Sequence, residues 1–185
     1  MDTSLIRDTY LDSSIILKGD YQYFLNPISD GNPRITKELL EQITDCIIEI
    51  SDLDCDVILV PEAMAIQYGA ALTMRTGIPF QIIRKTGTGL PDEISFSKKT
   101  GYGESKMYLH GLGPGTRVCL VDDVLSTGGT LRSMVKALRE KDIIITEAVM
   151  ILNKSTSVES LSKDLNISIR TILDVGVEDG RPIIR

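Results

Sequence analysis

The sequence predicts an α/β fold in which a mainly parallel sheet is covered by helices on both faces. Two observations carry that expectation. Short, wholly apolar runs recur at Val57–Val60, Phe80–Ile83 and Val118–Val121, as strands buried on both sides require. Between them lie amphipathic stretches with helical spacing, such as Leu39, Leu40, Ile43, Ile47 and Ile50, which turn one stripe towards a core.

In chain order, Asp2 to Leu17 mixes polar and apolar positions and is expected as a short helix. Tyr21 to Leu25 reads as a strand, and Asn26 to Pro33 as a loop. Thr36 to Ile50 is the first long helix and Val57 to Val60 a buried strand. Ala65 to Thr76 is a helix stopped by Gly77 and Pro79, before the strand Phe80–Ile83. Lys85 to Gly115 holds seven glycines and two prolines. It reads as a hairpin with arms near Glu93–Lys99 and Lys106–Leu109. Strand 118–121, helix 130–141, strand 143–152, helix 158–165 and a last strand 169–173 complete the order. Ligands of such a sheet bind beyond the carboxyl ends of its strands.

With 185 residues and no repeat, low-complexity tract or linker, the chain reads as one domain, 1–185. The excess of 26 acidic over 20 basic side chains gives a net charge of −6, which argues against general nucleic-acid or membrane binding. Cys46, Cys55 and Cys119 show no C-x-x-C spacing and read as reduced thiols, which fits a cytoplasmic protein. No signal peptide follows Met1, and no apolar run is long enough to span a bilayer.

The segment Val118 to Leu131, VCLVDDVLSTGGTL, concentrates the chemistry. A buried strand ends on adjacent carboxylates, Asp122 and Asp123. A turn of small residues comes next, and then a helix begins. Gly128 and Gly129 let the backbone approach an anion. Their N–H groups, with the helix N-terminus, form an anion site to which Ser126, Thr127 and Thr130 add hydroxyl donors. The paired carboxylates suit a vicinal diol and its metal ion. Neither a G-x-x-x-x-G-K-[ST] loop nor a strand-borne G-x-G-x-x-G is present. Gly111 to Gly115 precedes a strand and reads as a turn.

The run Val121 to Thr130, VDDVLSTGGT, resembles the phosphoribosyl pyrophosphate (PRPP) signature of type I phosphoribosyltransferases. The resemblance implies that Asp122 and Asp123 hold the ribose hydroxyls and that Ser126, Thr127, Gly128, Gly129 and Thr130 hold the 5-phosphate. Ile83 to Pro91, IRKTGTGLP, is similar to the I-R-K-x-G-x-L-P run of adenine phosphoribosyltransferases with one residue added. Tyr102-Gly103 resembles the Y-G of their mobile loop. Val60 to Ala65 occupies the place of their pyrophosphate turn, and Phe24 to Ile28 loosely resembles their base-covering segment. Residues 20 to about 155 together look like the archaeal-type hypoxanthine/guanine phosphoribosyltransferases. That likeness implies a type I fold with a hood over about 1–35 and a mobile hairpin over about 85–115. It also implies Mg²⁺ as cofactor, PRPP and a purine base as substrates, and a homodimer.

Further roles come with the resemblance. Arg84 and Lys85 would face the departing pyrophosphate. The Glu62-Ala63 turn would bind it too, through a non-proline cis peptide found in the family. Phe24, Leu25 and Lys154 would border the purine, with Lys154 a donor to a 6-oxo group. Two departures stand out. Gly101 replaces the glutamate that precedes the loop tyrosine in adenine enzymes. Ser126 replaces the aspartate of human-type hypoxanthine/guanine enzymes. No general base is therefore assigned; Tyr102, Glu104 and Lys106 are the loop candidates. His110, the single histidine, reads as a turn residue. Asp122 and Asp123 are the expected catalytic pair. An adenine enzyme and a PRPP-sensing regulator without catalysis are the alternatives.

Overall fold

The structure, a computed structural model, describes residues 1–19, 21–100, 103–154 and 157–185. Its centre is a six-stranded sheet in the order β10-β9-β8-β7-β3-β4, formed by β3 (Val57–Pro61), β4 (Phe80–Ile83), β7 (Arg117–Leu125), β8 (Ile144–Asn153), β9 (Ser168–Glu178) and β10 (Arg181–Ile184). All neighbours are parallel except β10, which runs antiparallel to β9. Two antiparallel hairpins lie apart from it: β1 (Ser14–Lys18) with β2 (Tyr21–Leu25), and β5 (Ile94–Thr100) with β6 (Gly103–Leu109). The helices are α1 (Ser4–Leu11), α2 (Pro27–Asp30), α3 (Lys37–Ile50), α4 (Ile66–Thr76), α5 (Gly129–Arg139) and α6 (Val158–Leu165).

Strand alternation splits the core in two. Ile58, Val60, Cys119, Val121, Val149, Ile151 and Ile172 face one side, packed by α1, α3, α4 and the N-terminal hairpin. Leu59, Val118, Leu120, Ala148, Met150 and Ile169 face the other, packed by α5, α6 and the roots of β5 and β6. The hairpin sets Ile94, Phe96, Met107 and Leu109 against Leu131, Met134, Val135 and Leu138 of that second core. Side chains of successive strand residues point to opposite faces, which is why the middles of β3, β7 and β8 carry unbroken apolar runs.

Local signals explain the helix limits. Thr36 caps α3 by accepting from the Leu39 N–H at 3.3 Å. Gly77 ends α4 with φ 77°, in the left-handed region that favours glycine. Two expectations need correction at the N-terminus. Residues 2–17 are not one helix: α1 ends at Leu11, and Ser14–Lys18 form a strand. The break is held by Ser13, which donates to the Tyr10 carbonyl at 2.5 Å and accepts from Asn26 Nδ2 at 3.0 Å. The expected loop 26–33 contains α2, because Asn26 caps the Ile28 and Ser29 N–H groups and Pro27 takes the first helical position.

The carboxyl-terminal strands also exceed expectation. β7 runs on through Asp122 and Asp123 to Leu125, so the acidic pair lies within the strand rather than after it. β9 extends to Glu178 and returns as β10 through Asp179 (φ 50°) and Gly180 (φ 71°). An Asp-Gly pair with two positive φ values is the type I′ hairpin signal, and it adds a strand where the apolar pattern predicts none.

At the amino end of the sheet, the buried Glu147 carboxylate accepts from the N–H groups of Asp52 (3.0 Å) and Leu53 (2.8 Å) and from Arg170 Nε (3.1 Å). It ties the α3–β3 connection to β8 and β9. Glu147→Ala leaves those donors facing a hole. The expected loss is about 3 kcal/mol of unfolding free energy, read as a lower urea midpoint with an unchanged slope.

Candidate active site

β4 lies on one side of β3 and β7 on the other, although β3 precedes both. Chain connections therefore leave the carboxyl ends of β3 and β7 in opposite directions and open a crevice between them, the usual ligand position in such sheets. The helices that succeed β3 and β7, α4 and α5, both start without a side-chain cap. Their N-termini leave backbone donors and positive partial charge at the crevice, a setting for anions.

On the β3 side, the peptide bond between Glu62 and Ala63 is cis. The Glu62 N–H donates to the Ile83 carbonyl at 2.9 Å, and its carboxylate accepts from the Lys85 N–H. Glu62 thus fastens the turn after β3 to the residues after β4. Arg84 is held from the other side: its N–H and C=O exchange hydrogen bonds with Tyr108 of β6 at 2.8 and 2.7 Å. The backbone of Arg84 is fixed while its side chain, like that of Lys85, stays exposed. Beyond them the chain folds tightly on Glu93, whose carboxylate accepts from Thr88 N–H (2.6 Å) and Oγ1 (2.9 Å) and is held below the usual carboxylate range by those bonds. Gly87 lies close to this carboxylate: a Cβ there would stand 2.7 Å from Glu93 Oε2 and would displace it. In the sequence neither Glu93 nor Gly87 stands out as part of this loop; the turn-rich composition is its only trace.

On the β7 side, Asp122 and Asp123 are half-buried, and Asp122 Oδ1 accepts from the Asp123 N–H at 2.9 Å. Ser126, Thr127 and Gly128 make the bend into α5, which Gly129 and Thr130 begin. Gly128 has φ 76°, and a Cβ there would stand 2.9 Å from Leu161 Cδ2. The bend is therefore pressed against α6 and shaped by the absence of a side chain. The oxygen-only pair Asp122/Asp123 fits Mg²⁺, which binds through one or two carboxylates and completes its shell with water and substrate oxygens. Among the described residues, no cluster of three or more His, Cys, Asp or Glu forms a cage for a metal.

Tyr68 of α4, which no sequence motif marks, joins the crevice to the N-terminal segment. Its buried hydroxyl donates to the Ile28 carbonyl at 2.7 Å. Burial, with the charges of Asp123 and Asp122 nearby, pushes the phenol well up and keeps it a donor. Lys154, just past β8, is anchored by its N–H to Leu125 O at 2.8 Å. Its ammonium donates to the Gln22 carbonyl at 2.7 Å and stands 5.3 Å over the Phe24 ring. Phe24 itself is buried edge-on to Tyr10 (5.3 Å between centroids), and Leu25 is half-buried. Lys154 and Phe24 thus come together with the N-terminal hairpin. Lys106 is exposed on β6, and His110 lies past its end, where its carbonyl accepts from Gln81. Tyr102 and the side chain of Glu104 lie outside the described residues.

This fold is that of an α/β enzyme of the type I phosphoribosyltransferase class. Residues 34–179 match the phosphoribosyl transferase domain family. Over 181 residues the chain is 44% identical to a hypoxanthine/guanine phosphoribosyltransferase of Methanohalophilus mahii, covering 97% of this chain and 95% of that one. It is 40% identical to the protein of the same name from Methanosarcina acetivorans, covering 94% and 92%. Among solved structures, an adenine phosphoribosyltransferase of Thermoanaerobacter pseudethanolicus superposes with a TM-score of 0.71 at 21% identity, covering 90% of this chain and 98% of that one. The Leishmania tarentolae adenine enzyme gives the same TM-score at 20% identity, covering 98% and 91%; both likenesses are of fold. The chain belongs to the phosphoribosyltransferase family.

The close fit at the bend is testable. Gly128→Ala forces a side chain into a positive φ and against Leu161. The expected cost is about 1–3 kcal/mol in urea unfolding, with the Leu161→Ala background recovering only the contact share.

Proposed function

We propose that this protein is a purine-salvage enzyme that transfers the 5-phosphoribosyl group of PRPP to hypoxanthine or guanine, releasing IMP or GMP and pyrophosphate. The observation that carries the reading is the crevice at the β3/β7 reversal. It sets an acidic pair and an uncapped glycine bend opposite a second uncapped helix and two exposed cations. The 6-oxopurine preference rests on the names of the archaeal relatives at 40–44% identity.

In this reading the 126–130 bend grips the 5-phosphate through backbone N–H groups and hydroxyls. Asp122 and Asp123 accept from the ribose hydroxyls and fix the anomeric carbon for in-line attack, a contribution of orientation. A purine ring nitrogen forms the new bond to that carbon as the bond to pyrophosphate oxygen breaks. Arg84, Lys85 and the Glu62-Ala63 turn bind the departing anion, where preorganised charge and donors act most strongly. Asp122 and Asp123 would hold Mg²⁺, which would supply charge neutralisation on the polyphosphate. The N-terminal segment 1–35 covers the base through Phe24, Leu25 and Lys154. Residues 85–115 close over the reacting centre and keep water from PRPP. The purine's proton leaves through Glu104 or through water. The protein works in the cytoplasm as a homodimer. Among the described residues no helix is long and apolar enough to cross a membrane.

Asp122→Asn combined with Asp123→Asn is expected to lower kcat/KM by about 10²-fold or more with the fold retained by circular dichroism. Near wild-type turnover in the double variant contradicts the assignment. Chromatography of the products with each base in turn decides the substrate. Formation of AMP in preference to IMP and GMP would move the reading to an adenine enzyme.

A further inference from the structure

The short helix α2 of the N-terminal segment is touched from both sides of the crevice. It packs against β7, the strand that carries Asp122 and Asp123. The turn and helix that succeed β3 meet it from the other side. Met64, in the turn after the Glu62-Ala63 peptide, reaches the end of α2: a Cβ on Gly31 would stand 3.3 Å from Met64 Cε. Tyr68 of α4 donates from its hydroxyl to the Ile28 carbonyl at 2.7 Å.

A helix of 4 residues is too short to hold its own shape. In α2 the Asp30 N–H donates to the Asn26 carbonyl and the Gly31 N–H to that of Pro27, both at 3.0 Å. The next carbonyl, that of Ile28, takes its donor from Tyr68 instead. Both residues are 0% exposed, so the bond is shielded from water. Helix α4 gives the phenol a firm base. Gly69, the adjoining residue, lets α4 approach the sheet so closely that a Cβ would stand 2.8 Å from Phe80 Cδ2 and 2.9 Å from Val60 Cγ1. Burial and the charges of Asp123 and Asp122 keep the phenol protonated, so it stays the donor. The Asn26 side chain, which caps α2 at the Ile28 and Ser29 N–H groups, carries the constraint on towards Phe24 and Leu25.

We propose that Tyr68 is a positioning residue for the phosphoribosyl transfer: through the Ile28 carbonyl it holds the base-covering residues 24–28 against the pyrophosphate turn on one side and the acidic pair on the other. The inference rests on the transferase reading and adds the link that sets the base against the sugar. Tyr68 is fully buried and acts through the main chain of Ile28 rather than on a reacting atom. In-line attack needs the purine nitrogen and the anomeric carbon in near-contact and aligned, so a small shift of the cover is felt in the reaction. The same link joins the side of the site that takes pyrophosphate to the side that takes the base.

Tyr68→Phe tests this by removing the hydroxyl and keeping the ring. With PRPP and Mg²⁺ present, the KM for the purine base is expected to rise roughly fivefold or more, as one lost buried hydrogen bond implies, while the KM for PRPP holds. Tyr10→Phe is the control. It removes another buried 2.7 Å bond of the N-terminal segment, to the Gly176 carbonyl of β9, which β8 separates from β7, and it is expected to leave both constants in place. A merely structural role for Tyr68 lowers the thermal midpoint without separating the two constants. If Tyr68→Phe does not fold, Met64→Ala, which withdraws the second contact with α2, decides by the same comparison. An unmoved base KM in the folded variant, an equal rise in both constants, or an equal effect from Tyr10→Phe overturns the assignment alone. A wild-type chain that forms no nucleotide from hypoxanthine, guanine or adenine overturns it together with the transferase reading.

Discussion

The reversal of strand order at β3 fixes where the other elements can stand. Because β4 adds to one side of β3 and β7 to the other, the loops leaving these strands cannot cover the gap between them. Two helices start at that gap, and both leave backbone N–H groups there without side-chain caps. The acidic pair of β7, which lies within the strand, is thereby set at a fixed distance from the bend beyond it.

Around this crevice the polar contacts are arranged to hold backbone rather than to cover side chains. Glu62 fastens the 62–63 turn to residue 85, and Tyr108 clamps Arg84 by its main chain. The cationic side chains of residues 84 and 85 remain exposed. Tyr68 spans from α4 to the Ile28 carbonyl, and Lys154 from the sheet edge to the Gln22 carbonyl. The N-terminal segment is thus tethered to α4 and to the sheet edge, and the Tyr10 hydroxyl adds a bond to the Gly176 carbonyl of β9 at 2.7 Å. Preorganised groups of this kind reorganise little when charge moves, which is where electrostatic catalysis gains most.

Much of this is legible in the sequence, and the limits are physical. Buried parallel strands announce themselves as apolar runs, so β3, β4 and β7 stand out. The VDDVLSTGGT run combines glycines, hydroxyls and acids in an order that few other structures require, so the strand, bend and helix start are plain. What escapes has mixed signals. Ser14–Lys18 is a hairpin arm of which only Ile15 packs, half-buried, on the core, and its short pattern merges with α1. Asn26-Pro27 can open a loop or cap a helix, and the Ser13 contact that decides between them comes from a distant strand-turn. Tyr68 reads in sequence as an ordinary buried helix residue; only the fold brings it near Asp123.

A PRPP site at the β3/β7 crevice underlies the proposed transfer. Titration calorimetry of the wild-type chain with PRPP in the presence of Mg²⁺ tests it most directly. Saturable binding of one PRPP per chain, lost when Asp122 and Asp123 are both changed to Asn, is the result expected. No heat of binding for PRPP or for IMP and GMP, from a protein shown to be folded, would contradict it.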